Sequence, residues 1–321
     1  MAGLLVTGAM GHVGYEVARQ AAAAGERVVA QYRNRFRAAD AAALGNQVTW
    51  VRCELADPAA VDRLAGDHAV EACIHLAAVS NEAFARPRPL AAVEANVGAV
   101  ANLLDTARRR GWRRFILVST GSVFQHMREV DKPIHEDTPP AAANVYGTTK
   151  YCAELLTRMY RSQFELPAAV VRISWVYGPP IATVDPTRGP VPGFLSKALA
   201  GTPIRDPGGA DFAASFTYVG DVAAGLLAAA AAPKLNFDVY HLGPGVNFTA
   251  GEVAAAVRAA VPGAVIELGP GTEPWTTYTA LRGPLAGDRL RADTGFTPAH
   301  SLEAGIRAYA EWMRAHPETY R

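Results

Sequence analysis

Six short runs of contiguous apolar residues punctuate residues 3–174: GLLVTG (3–8), RVVAQY (27–32), VTWVRC (48–53), ACIHLAA (72–78), RFILVST (114–120) and AAVVRIS (168–174). Between them lie the Ala-rich stretches YEVARQAAAAG (15–25), PAAVDRLAG (58–66), VEANVGAVANLLDTARRRG (93–111) and KYCAELLTRMYRSQF (150–164). A strand that is apolar at consecutive positions is buried on both faces, and strands separated by helices pair in parallel through right-handed crossovers. The pattern therefore predicts an α/β chain with a doubly wound parallel sheet. After residue 178 it loosens into YGPPIATVDPTRGPVPG, IRDPGGA, LGPGVNF and LGPGTEP, which predicts a smaller, loop-rich C-terminal substrate lobe. The expected division is 1–178, with a returning segment near 215–240, and 179–321.

Length and charge narrow the function classes. A chain of 321 residues that is 50% hydrophobic can bury one large core or two smaller ones. Thirty-one Lys and Arg stand against 30 Asp and Glu, a formal charge of +1, so no global field draws it to nucleic acid or anionic lipid. The basic run RRRGWRR (108–114) reads as a solvated helix end. Cys53, Cys73 and Cys152 are odd in number and form no CxxC, which argues against a disulfide framework and a structural zinc site. The start MAGLLVTGAMGHVG lacks the charged opening of a secretion signal, and the longest apolar run, VAAGLLAAAAA (222–232), is too short to span a bilayer. A soluble, cytoplasmic protein without a metal site is expected; HxxxE at 12–16 has the wrong company for one.

The first chemical signal is TGAMGHVG, with Gly8, Gly11 and Gly14 directly after the first strand and opening the first helix. Glycines at such a junction allow a tight turn and close approach of backbone to a pyrophosphate, while the helix N-terminus offers free N–H groups to the anion. The spacing is GxxGxxG rather than GxGxxG; its position on a strand, turn and helix makes it a dinucleotide cradle of Rossmann type, with Met10, His12 and Val13 between the glycines. Residues 1–178 are thus the expected dinucleotide-binding domain. An acid at the end of the second strand would accept hydrogen bonds from the adenosine ribose of NAD. This chain has QYRNR instead, with Tyr32 followed by Arg33, Asn34 and Arg35. A guanidinium pairs bidentately with a 2′-phosphate, so NADP is preferred and NAD is the alternative.

The stretch NVYGTTKY (144–151) sets Tyr146 and Lys150 four positions apart. GxxGxxG followed by YxxxK resembles the extended short-chain dehydrogenase/reductase family. Further pieces match in order: IHLAA (74–78), NVGAVANLL (96–104), STGSVF (119–124), RISWVYGP (172–179), SFTYVGDVA (215–223) and DTGFTPAHSLEAGI (293–306). The resemblance implies that Tyr146 is the general acid or base, that Lys150 binds the nicotinamide ribose and lowers the tyrosine pKa, and that Thr120 holds the reacting oxygen. A phenol with an ordinary pKa near 10 needs a nearby positive charge to serve as a base at neutral pH, which agrees. Carried over in the same way, Glu54, Leu55, Leu76, Ala77, Ala78, Asn96, Ile173 and Ser174 join the glycine turn and Arg33 to Arg35 around the cofactor. Ser80, Asn81, Gly121, Ser122 and Trp175 are expected to face substrate. His75, inside a strand, reads as a satisfied structural imidazole.

Departures from the family pattern narrow the chemistry. The sugar-nucleotide dehydratases of the family carry an acidic pair after the catalytic threonine; Gly121 and Ser122 stand there, which disfavours elimination of water. Trp175 replaces the asparagine that many epimerases place before VYG, and RISWVYG looks like the corresponding segment of dTDP-4-dehydrorhamnose reductases. The arginine that commonly precedes DFxYV and clamps a diphosphate is absent at Ala213 and Ala214, leaving Arg205, Arg282 or Arg289 to compensate. The expectation is an NAD(P)-dependent oxidoreductase moving hydride between nicotinamide and a hydroxyl or keto carbon of a small polar substrate such as a sugar or sugar acid. The alternatives are an epimerase that retains its cofactor and a dinucleotide sensor without turnover. His126, His135, Glu136, Trp275, Tyr278 and Arg282 are candidates for the pocket border. A homodimer through helices holding 93–110 and 148–164, with Ala101, Leu104 and Met159, is a further expectation.

Overall fold

The structure, a computed structural model, describes residues 3–125, 130–180 and 185–319; His126 lies outside them. Seven strands form the central sheet: β1 (Gly3–Thr7), β2 (Val28–Tyr32), β3 (Val48–Arg52), β4 (Val70–His75), β5 (Arg114–Thr120), β6 (Ala168–Ile173) and β7 (Val239–Leu242). Their order is β3-β2-β1-β4-β5-β6-β7, and every pairing is parallel. The chain runs outward from β1 to β3, then crosses back to β4 on the other side of β1. That reversal opens a crevice at the carboxyl ends of β1 and β4, where sheets of this kind receive ligands. The six apolar runs all become strands; β7, only four residues long, is the addition.

Alternate side chains of each strand feed opposite cores. Ile116 and Val118 of β5 join Val6 and Ile74 beneath helices α1 (His12–Ala23) and α6 (Val219–Ala231). Phe115 and Leu117 join Leu5 and Cys73 beneath α2 (Pro58–Asp67), α3 (Ala99–Arg110) and α4 (Val145–Phe164). Leu104 is fully buried in this second core, so it packs on the sheet and offers nothing to a partner chain. A third core, built from Phe194, Leu195, Val253, Val257, Ile306, Tyr309 and Met313, gathers α5 (Pro190–Leu199), α7 (Ala250–Ala260) and α8 (Leu302–Ala315). Between α5 and α7 the chain returns to the sheet as α6 and β7, so this lobe is assembled from separated stretches.

Two local departures from the expected elements shape the site. The stretch 93–111 is not one helix: Pro89–Val93 passes into a π turn at Glu94–Gly98 before α3 begins. The wider turn rotates Asn96 inward, where Oδ1 accepts from the Val79 N–H (2.8 Å) and Nδ2 donates to Thr149 Oγ1 (3.0 Å). The next helix, α4, starts at Val145 rather than near 150 because Asn144 caps it, its Oδ1 accepting from the Gly147 N–H at 2.7 Å. Tyr146 and Lys150 therefore occupy the first two turns of a 20-residue helix.

Candidate active site

A cleft of about 1240 Å³ runs along the carboxyl ends of the strands and is walled on its far side by residues of 185–188 and 274–282. Gly8, Met10, Gly11, His12, Val13 and Gly14 form one end. Gly8 has φ +63°, and a Cβ there would come within 2.9 Å of the Ala77 backbone; one on Gly14 would lie 2.4 Å from the Gly8 carbonyl oxygen. Only glycine fits at either position, and the outcome is a floor of bare backbone. Gly11 caps α1 without any side-chain hydrogen bond, leaving the first N–H groups of the helix open to the cleft. A bare turn ending in free helix N–H groups fits the diphosphate of a dinucleotide.

Buried polar groups hold this floor in place. Gln31 Oε1 accepts from the Gly8 N–H (2.9 Å) while its Nε2 donates to the Cys53 carbonyl (2.6 Å). Thr7 Oγ1 accepts from the N–H groups of Leu76 and Ala77, so its own proton goes to His75 Nδ1 at 2.8 Å. His75 is thereby fixed as the Nε2–H tautomer, and burial with the charge of Lys150 pulls its pKa down to about 3. The imidazole is neutral as expected, but only half satisfied, since Nε2 is buried without a partner. His12, read from sequence as a residue brushing phosphates, donates from Nε2 to the Gly178 carbonyl (2.8 Å) and ties the glycine turn to the segment after β6. Burial and Arg188 lower its pKa to about 4.

Beyond the turn, Arg33, Asn34 and Arg35 line the cleft and are exposed. Asp40 is paired with Arg37, whose Nη1 also donates to the Met10 carbonyl at 2.9 Å. Glu54, Leu55, Leu76, Ala77, Ala78, Ile173 and Ser174 line the same wall.

At the centre, Thr120, Tyr146 and Lys150 converge. Thr120 ends β5; its Oγ1 accepts from the Ser122 N–H (3.0 Å), and it lies close enough to the Tyr146 phenol to pull the phenol's pKa down. Glu82 Oε2 accepts from the Tyr146 N–H at 2.9 Å and completes the helix start. The Lys150 ammonium is buried and has no hydrogen-bond partner among the described residues. Burial pulls its pKa down to about 8, opposed by Glu154 one turn on. Burial raises the Tyr146 pKa, opposed by Thr120, Arg282 and Arg188. Both of these arginines come from the lobe.

Beneath the trio, Arg172 of β6 meets Glu154 of α4 in a fully buried pair (Nη2 to Oε2, 2.7 Å; Nε to Oε1, 3.0 Å), and Ser119 donates to the same carboxylate at 2.5 Å. His241 accepts from Arg172 at 3.3 Å and donates from Nδ1 to the Ile134 carbonyl, again a neutral imidazole, held at about 3 by burial and Arg172.

Ser80, Asn81, Ser122 and Trp175 reach the cleft, with Asn81 Oδ1 occupied by the Phe84 N–H. Two expected residues do not. Asn96 is fully buried and spent on tying the loop after β4 to α4, and Gly121 lies behind the wall, covered by Arg282. Of the three arginines expected to compensate for the missing clamp, Arg282 alone lines the cleft; Arg205 pairs with Glu267, and Arg289 with Asp137. Trp275 and Tyr278 do line it, whereas Glu136 packs against the His241 N–H and lies outside it, as does His135. Arg188 was not singled out, since a Pro- and Gly-rich segment offers no periodicity to orient a side chain. No helix among the described residues is long and apolar enough to cross a membrane.

Residues 4–243 match the model of the NAD dependent epimerase/dehydratase family. A dTDP-4-dehydro-6-deoxy-D-allose reductase of a Streptomyces species is 33% identical over 229 residues, covering 68% of this chain and 69% of that one. A UDP-glucuronate 4-epimerase of Thermodesulfobacterium geofontis is 30% identical over 181 residues, 56% of this chain, and that match spans about half of the relative (53%). Among solved structures, the UDP-glucose 4-epimerase of Thermus thermophilus in complex with NAD superposes with a TM-score of 0.83 at 25% identity, over 97% of this chain and 99% of the other. With the glycine floor, the Tyr, Lys and Thr cluster and these matches together, the chain belongs to the NAD-dependent epimerase/dehydratase family, enzymes of the extended short-chain dehydrogenase/reductase type.

Proposed function

We propose that this protein is an NADP-preferring oxidoreductase that moves hydride between the nicotinamide and a hydroxyl or keto carbon of a small polar substrate, a sugar, sugar acid or similar compound. The observation that carries it is the convergence of Tyr146, Lys150 and Thr120 on the same cleft as the bare glycine floor. When bound, the cofactor supplies or accepts the hydride. Tyr146 transfers the proton to or from the reacting oxygen, Thr120 orients that oxygen, and Lys150, a buried ammonium without a protein partner, binds the nicotinamide ribose. Gly8, Met10, Gly11, His12, Val13 and Gly14 carry the diphosphate. Arg33, Asn34 and Arg35 support the 2′-phosphate; Glu54, Leu55, Leu76 to Ala78, Ile173 and Ser174 line the remaining cofactor wall. Ser80, Asn81, Ser122 and Trp175 face substrate between a sheet domain of 1–178, rejoined by 215–240, and the lobe of 179–321. Three free cysteines support a reducing, cytoplasmic setting.

The Tyr146→Phe protein tests this reading. It removes one hydroxyl, so turnover should fall by about 10²–10⁴-fold while titration with NADP⁺ and NAD⁺ gives unchanged affinities, NADP⁺ the tighter. An unchanged rate would remove Tyr146 from the chemistry. The second reading, an epimerase, is favoured by the names of the relatives; NAD that stays bound through purification of the wild type would support it over cofactor exchange.

A further inference from the structure

The cleft contains one charge pattern that proton transfer by Tyr146 does not require. Arg282 is 7% exposed and projects from the segment 274–282; its Nη1 reaches only Thr279 Oγ1 (3.1 Å). Arg188 enters from the short turn Pro186–Arg188 that precedes α5. Neither forms an ion pair among the described residues, and the phenol of Tyr146 feels both. Asp185, the acid nearest Arg188, accepts from the Thr187 N–H (2.9 Å), and Glu82 accepts from the Tyr146 N–H. Arg188 is half-buried and feels the charge of Asp185, whereas Arg282 is buried with no carboxylate among the described residues acting on it; a guanidinium so placed is costly unless an anion arrives to meet it.

Position 121 shows how Arg282 gets so close. A Cβ on Gly121, the residue directly after Thr120, would lie 2.9 Å from Arg282 Nε and 3.5 Å from its Cζ. The guanidinium fills the space where any side chain at 121 would stand. Trp175 closes the other side: its ring lies 3.0 Å from where a Cβ of Gly189 would be, next to Arg188, and it keeps this place at a φ of 21°, unfavourable for tryptophan.

We infer that the substrate carries a carboxylate beside the carbon that exchanges hydride, held between Arg188 and Arg282: a sugar acid of the uronate or aldonate class. Gly121 and Arg282 act as a pair that sets this preference. The inference rests on the oxidoreductase reading and goes further than it, by fixing where the substrate's charge lies.

The test uses binding, so that it stands apart from turnover. Hexuronates and aldonates, the matching neutral sugars, and UDP-galactose are titrated into the NADP⁺-loaded Tyr146→Phe protein. Acids should bind about ten-fold or more tightly than their neutral partners. Arg282→Gln and Gly121→Ala should each erase that difference while leaving NADP⁺ affinity unchanged. Equal binding of acid and neutral sugar, binding of none of them, selective binding of UDP-galactose, or a preference that survives Arg282→Gln would each overturn the assignment. Failure of the oxidoreductase reading registers elsewhere, as loss of NADP⁺ binding or as turnover that survives Tyr146→Phe.

Discussion

Lys150 is held in an environment that suits its task and not its folding. Its folded pKa, about 8, lies below the ordinary 10.5, so between those values the unfolded chain binds the proton more tightly. Folding is penalised below pH 8, and stability rises as pH climbs from 8 towards 10.5. The penalty at neutral pH is about 3 kcal/mol from the size of the shift. Lys150→Met keeps most of the stem and removes the charge, so it should raise the melting temperature at pH 7, with a smaller gain near pH about 9.5, while weakening cofactor binding. A variant that melts at or below the wild type at pH 7 would show that the buried ammonium is not costly. The same exchange of stability for function is common where a site needs a poorly solvated charge. Tyr146 and Lys150 were legible from the sequence, since a motif and its flanking strand and turn pointed at them together. Arg188 was not, and Asn96 was misread, because whether a polar residue lines a cleft or braces it depends on a π turn that no local pattern announces.

At the scale of elements, α4 and β6 are joined by the Glu154–Arg172 pair, directly below the reacting groups. Both partners are shielded from water, and Ser119 uses one of the carboxylate's remaining lone pairs. Such a pair adds little over apolar packing, but breaking it leaves a charge stranded. Glu154→Gln should therefore cost about 3–5 kcal/mol in a urea titration, and the double variant Glu154→Gln, Arg172→Met should recover much of that loss. A single variant within 1 kcal/mol of wild type, on the order of a surface substitution, would mean that solvent reaches the pair. Strands β1 to β6 were readable because burial on both faces makes each an unbroken apolar run. β7 was not: VYHL (239–242) is short, and its His241 is tolerated inside only because Arg172 and the Ile134 carbonyl satisfy both ring nitrogens.

For the molecule as a whole, α4 and the turn Pro89–Val93 carry exposed apolar residues: Leu90 is 71% exposed, Leu155 47% and Met159 38%. Leu104, expected to join them, faces the sheet instead. We propose that this surface pairs with its copy in a homodimer. Light scattering should give twice the 34.0 kDa chain mass, and Leu155→Glu should yield a monomer that still binds NADP⁺; a monomeric wild type would refute it. The change in texture after residue 178 points to a second lobe with a returning segment near 215–240, and the chain comes back to the sheet as α6 and β7 over 219–242.

That return also limits how the molecule can be re-engineered. The lobe behind Arg188, Arg282 and Trp275 is threaded through the sheet domain, so it cannot be lifted out as one cassette. A chimaera that exchanged everything after residue 178 would carry a foreign α6 and β7 into this sheet and disturb the floor under Tyr146. Substrate preference should instead be transplanted as separate grafts on either side of the 219–242 stretch, leaving that stretch native.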